Sequence, residues 1–132
     1  MTKYLVKNKE ELQEIIKTNS KPLNSLDVSN ITNMSFLFSD FSNVTYFDID
    51  SWDTSNVSDM DSMFYNCSSL ITIPLLDTSN VIDMDSMFDG CISLLLLDKV
   101  LFLEKSNNDF KRQIYLQMSK EQLQQTYDNL IV

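Results

Sequence analysis

Along this chain the apolar residues recur in blocks whose spacing changes and then changes back. Val57, Met60 and Phe64 fall at i, i+3 and i+7, Val81, Met84 and Phe88 repeat that spacing, and Ile31, Met34 and Phe38 match it earlier. Each set predicts a short helix, with Ser29/Asn30, Ser55/Asn56 and Ser79/Asn80 placed to cap it. A turn at Asn66 or Gly90 follows and the spacing tightens. Val44, Phe47 and Ile49 in one unit, and Leu70, Ile73 and Leu75 in the next, predict a short strand lining a parallel sheet. The third unit starts the same way at Leu94 and Leu97 but carries Lys99 in the last slot. The alternation repeats because the sequence does: DVSNITNMSFLF begins at Asp27, DTSNVSDMDSMF at Asp53 and DTSNVIDMDSMF at Asp77, with starts 26 and then 24 residues apart. A unit of that length cannot bury its apolar face alone, so the copies must stack. The predicted fold is an α/β, three-coil, leucine-rich-repeat-like solenoid with a parallel sheet on one side and short helices on the other.

The ends break the pattern in a way that suits caps. Asn8 and Glu11 form a capping pair ahead of Leu12, Ile15 and Ile16, which share one helical face, and Pro22 lies beyond. After Asp98 the repeat stops. Asp109 precedes Phe110, Ile114 and Met118, and Ser119 with Gln122 precedes Leu123, Tyr127 and Leu130, which predicts two more helices. The 132 residues therefore read as a single domain: residues 1–21 an N-terminal capping helix, 22–98 three repeats, and 99–132 a helical cap over an otherwise open edge.

The pattern DTSNVxxMxxMFxxCxSL closely resembles the roughly 25-residue repeat of BspA-like bacterial proteins, a leucine-rich-repeat-like family also found among mycoplasma-type surface lipoproteins. The resemblance runs over about residues 22–98, and the segment before it also resembles the one that precedes such repeats. It implies a solenoid fold and, from many members, a role in adhesion at the cell surface. The start MTKYLVKNKEEL carries charges where a signal peptide needs its apolar run, and there is no lipobox cysteine. A cytoplasmic location is expected for a full-length chain, and a cell-surface one for a piece trimmed from a secreted parent. No window approaches the ~18 apolar residues of a membrane span, so no membrane partner is expected.

Charge sharpens the functional reading. The net −9 sits wholly on the repeats: residues 26–98 hold twelve Asp and no Lys, Arg or Glu, between two weakly basic flanks. Such a surface repels nucleic acid and favours basic proteins. The chain has no His and a single Gly, which removes the commonest proton-transfer side chain and the Gly-rich phosphate loops. A non-enzymatic protein-binding module without cofactor, and monomeric, is expected. Two alternatives stand beside it: an intracellular inhibitor or immunity-type protein neutralising a basic toxin or nuclease, and a fragment of a surface adhesin. Cys67 and Cys91 share the repeat position of Phe41 and read as buried free thiols, since two Cys make at best half a zinc site. The D-x-D pairs Asp59/Asp61 and Asp83/Asp85 stack in register, above Asn33 and Ser35 in the first unit; they lack an EF-hand pattern and no metal is assigned to them. Tyr46 and Asp48 on the sheet face, the aromatics Trp52 and Tyr65, and the four Asp residues form the candidate partner surface.

Overall fold

The computed structural model describes residues 3–72, 74 and 76–94. The predicted C-terminal helices, and the strand slots of Ile73, Leu75 and Leu97, lie outside the described residues.

The chain enters through a small parallel unit. Strand β1, Tyr4–Leu5, pairs with β2, Leu26–Asp27, in the register Tyr4↔Leu26 and Leu5↔Asp27. Between them runs α1, Lys9–Thr18. Asn8 caps it from an extended conformation, its Oδ1 accepting the Glu11 amide at 2.9 Å, and Asn19 ends it in the left-handed conformation at φ 52° with its amide on Ile15 O. Leu12 and Ile15 are buried and Ile16 packs beside them, so this helix presents its apolar stripe to the first repeat.

Each repeat opens on the same hydrogen-bonded corner. Asp27 Oδ1 accepts the Ser29 amide at 3.0 Å and its hydroxyl at 2.6 Å; Asp53 does the same with Ser55 at 3.0 and 2.6 Å, and Asp77 accepts the Ser79 amide at 2.9 Å. The Asp of the repeat is thus an Asx-turn residue. The Asn that follows the Ser reaches to a neighbouring repeat instead of capping a helix: Asn56 Nδ2 donates to Ser29 O at 2.8 Å and Asn80 Nδ2 to Ser55 O at 2.6 Å. Buried Thr54 binds in the other direction, its hydroxyl on Asp77 O at 2.8 Å.

Beyond the corner the repeats are joined by a backbone ladder. The amides of Met34, Phe36, Phe38 and Asp40 donate to the carbonyls of Asp59, Asp61, Met63 and Tyr65. Those of Met60, Ser62, Phe64 and Asn66 donate to Asp83, Asp85, Met87 and Asp89, all eight bonds spanning 2.7–3.1 Å. Parallel bridges Asn33↔Asp59 and Asp59↔Asp83 mark its start. The intervening amides turn inward. Leu37, Ser39 and Phe41 donate to Met34, Phe36 and Phe38, and the next two repeats copy this at Met63, Tyr65, Cys67 and Met87, Asp89, Cys91.

These bonds correct the expected helix. Residues 31–41 and their equivalents form consecutive turns, because an α-helix needs each amide on the carbonyl four residues back and negative φ throughout. Here φ is positive at Phe36, Asp40, Ser62, Asn66, Ser86 and Gly90, the third residue of alternate turns, where a type II turn requires it. The expected strand also differs. Phe47 and Ile49 do point inward, but across from them the described residues give one inter-repeat bond, Ile71 amide to Thr45 O at 3.0 Å, so the parallel pairing runs through residues 33–40.

Stacking puts like on like in the core. Phe38, Phe64 and Phe88 lie one over the next, with centroids 5.7 and 5.9 Å apart and planes within 6° and 2° of parallel. Phe47 packs 4.3 Å from Phe38 and Trp52 5.9 Å from it. Val57, Met60, Met63, Cys67 and Leu70 complete the second layer, all fully buried. The turns keep the i, i+3, i+7 face that a helix would have shown.

Phe64 is held between two rings, so Phe64→Ala is expected to lower the unfolding free energy in urea by about 3–5 kcal/mol. Ile82→Ala, at a side chain 77% exposed, should change it by less than about 0.5 kcal/mol. Equal effects from the two would show that the ring stack does not organise the core.

Candidate acidic face

The D-x-D segments lie at the start of the ladder, and each first residue is built into its turn. Asn33 Oδ1 accepts the Ser35 amide at 2.8 Å, Asp59 Oδ1 the Asp61 amide at 2.8 Å and Asp83 Oδ1 the Asp85 amide at 3.0 Å. The second residue of each pair is less committed. Asp61 receives the Ser62 hydroxyl at 3.3 Å, and burial together with the charges of Asp83, Asp59 and Asp85 raises its pKa, against that hydrogen bond. Asp85 is exposed. The structure therefore brings Asp59, Asp61, Asp83 and Asp85 together as one electrostatic group.

A cation closes the N-terminal end of this column. Lys9 Nζ, from the first turn of α1, lies 3.1 Å from Asn33 Oδ1 and 2.8 Å from Ser35 Oγ. The first repeat thus carries neutral side chains where the others carry carboxylates, and receives an ammonium from the preceding helix.

The aromatic candidates divide. Tyr46 is 54% exposed; partial desolvation, then its hydrogen bond to Asp48 and the charges of Asp48 and Asp50, push its hydroxyl pKa up. Asp48 is exposed and accepts Asn24 Nδ2 at 2.7 Å. Tyr65 is 37% exposed on the ladder segment, its carbonyl accepting the Asp40 amide. Trp52 does not belong to the surface. It is 5% exposed, stacks on Phe38 and donates Nε1–H to Leu23 O at 2.8 Å. It occupies the slot directly before the repeat Asp, which Leu26 and Leu76 fill in the other copies, Leu26 fully buried and Leu76 packed against the core.

Phe36, exposed beside Ser35, was not among the candidates. Its signal was present in the alignment of the repeats, where MSFLF places Phe at the slot that both MDSMF copies fill with Ser. Cys67 and Cys91 are free and buried, their thiols donating to Phe38 O and Phe64 O at 3.0 Å. Burial, then the neighbouring Cys91, pushes the Cys67 thiol up to about 12, which keeps it protonated and unreactive.

Among the described residues, no three His, Cys, Asp or Glu side chains are gathered to hold a metal ion, and no helix is long and apolar enough to cross a membrane. The family described as "Mycoplasma protein of unknown function, DUF285" matches residues 2–97, and the chain belongs to it. It is a family of BspA-like, mycoplasma-type repeat proteins. No curated protein and no solved structure matches the chain.

The carboxylates of this structure act on stability with two signs. Hydrogen bonds from the Ser two residues on hold Asp27, Asp53 and Asp77 below the usual carboxylate range. The unfolded state then binds more protons between the folded and unfolded pKa values, so their contribution is complete above about pH 4 and is lost as pH falls through the folded values. Asp61 has the opposite sign, because its ionisation is disfavoured in the fold. Urea titrations from about pH 2 to about pH 7 should show a loss of stability on the acid side. Asp61→Asn should raise stability near neutrality and leave it unchanged below about pH 4. A neutral-pH loss in that variant would mean that the Asp61 charge supports the fold.

Proposed function

We propose that this member of the DUF285 family is a non-enzymatic protein-binding module, whose repeats form a short three-coil leucine-rich-repeat-like solenoid of the BspA type. Its acidic face takes a basic protein partner. The parallel backbone ladder through residues 33–40, 59–66 and 83–89 supports the solenoid reading.

The observation that carries the function is a comparison within the chain. Asn33 makes the same turn cap that Asp59 and Asp83 make, and makes it without charge. A carboxylate is therefore not required for the turn at the second and third repeats. Ionising these carboxylates costs stability: burial first, and then the charges of Asp83, Asp59 and Asp85, raise the pKa of Asp61. Four carboxylates retained where Asn and Ser suffice make a one-signed field suited to drawing in a basic surface. Exposed Tyr46 and Tyr65 supply apolar contact area of the kind that anchors interfaces.

Passing the source cell's lysate over the immobilised chain tests this. Basic proteins should be retained at low salt and released by added salt, and a variant with Asn at 59, 61, 83 and 85 should retain little. With the captured protein in hand, Asp59→Asn with Asp61→Asn should mainly slow association, whereas Tyr46→Ala should mainly speed dissociation. An acidic partner, or one held equally at all salt concentrations, contradicts the proposal.

A further inference from the structure

Phe36 occupies a backbone slot that suits it poorly. Its φ is +58°, a conformation that bulky side chains rarely adopt, and the equivalent residues of the next two repeats are Ser62 and Ser86 at φ 54° and 55°. Burial does not compensate, for the ring is 54% exposed. Folding alone would be better served by Ser or Asn at this position.

Its surroundings indicate what the ring could meet. The Phe36 amide donates to Asp61 O at 2.9 Å, and the register Asn33↔Asp59 sets residue 36 on Ser62, whose hydroxyl donates to Asp61 Oδ1 at 3.3 Å, so a single small side chain links the Phe36 slot to the Asp61 carboxylate and its neighbours Asp59, Asp83 and Asp85. Lys9 Nζ sits 2.8 Å from the hydroxyl of the preceding residue, Ser35, so a cation of the chain itself already rests next to this slot. An exposed aromatic face beside a carboxylate is complementary to one cation in particular. Guanidinium is planar and weakly hydrated, and can stack on a ring while its edge pairs with an acid; an ammonium forms the two contacts less well together.

We propose that Phe36 makes the acidic face selective for arginine, a guanidinium of an arginine-bearing segment of the basic partner stacking on the ring and pairing with Asp61. This rests on the acidic-face reading above and adds the side chain that discriminates among basic partners.

Fluorescein-labelled octa-arginine and octa-lysine, titrated into the intact chain, separate the two claims. Octa-arginine should bind more tightly than octa-lysine by about three- to fivefold. Phe36→Ser should bring that ratio close to one while leaving the affinity for octa-lysine and its salt dependence unchanged. Phe36→Leu, which keeps an apolar side chain without an aromatic face, should behave as Phe36→Ser does, and Phe36→Tyr should retain the preference. An arginine preference that survives in Phe36→Ser and Phe36→Leu overturns the role of Phe36 and leaves the acidic-face reading standing. Failure of the unaltered chain to bind either peptide overturns that reading, and this inference with it.

Discussion

The rest of the structure depends on the row of backbone bonds in which every second amide of one repeat donates to a carbonyl of the next. Buried backbone groups must find partners, and a short chain rich in turns has few ways to supply them. Here even-numbered amides from Met34 to Asp40 and from Met60 to Asn66 leave the repeat, and the odd-numbered ones between them close turns within it. Such a ladder tolerates no slip, since a shift of one residue would exchange inward and outward positions. Equivalent residues are thereby forced to stack.

Both the core and the surface follow from that constraint. Phe lies on Phe and Cys next to Cys, so large apolar side chains stack in register although the described repeats contain little regular secondary structure. On the outside the same rule stacks Asp on Asp. The chain contains that cost by leaving the first repeat neutral at Asn33 and Ser35 and setting the ammonium of Lys9 against them. A column that begins on a cation and neutral side chains and continues as carboxylates is an oriented electrostatic feature, which a uniform scatter of Asp would not be.

Much of this was legible in the sequence and some was not, for identifiable reasons. The period and the inward set Val57, Met60, Phe64 could be read directly, because this run of overlapping four-residue turns buries the same i, i+3, i+7 positions that an α-helix would. That same ambiguity suggested a helix where turns occur. Of the left-handed positions that rule a helix out, Asp40, Asn66 and Gly90 carry residue types suited to that conformation and read only as the turn after a helix, whereas Phe36, Ser62 and Ser86 give no such signal. The helix α1 was readable because Asn8 and Glu11 sit at its start and nothing interrupts its stripe. Within the acidic group, the register of Asp59 with Asp83 followed from repeat arithmetic. Trp52 was misplaced although its slot, directly before the repeat Asp, is apolar in every copy as Leu26, Trp52 and Leu76; what periodicity does not reveal is the carbonyl of Leu23 that satisfies the buried indole N–H.

The central claim is that every second amide of residues 34–40 and 60–66 bonds to the next repeat and not to the carbonyl four residues back in its own. Scalar couplings across hydrogen bonds, measured by NMR on the isotopically labelled chain, test it most directly. The account predicts couplings from the Phe38 amide nitrogen to the Met63 carbonyl carbon and from the Phe64 amide nitrogen to that of Met87. Couplings from those nitrogens to the carbonyls four residues earlier, Met34 and Met60, would contradict it, because they would mean that the repeats are helical after all.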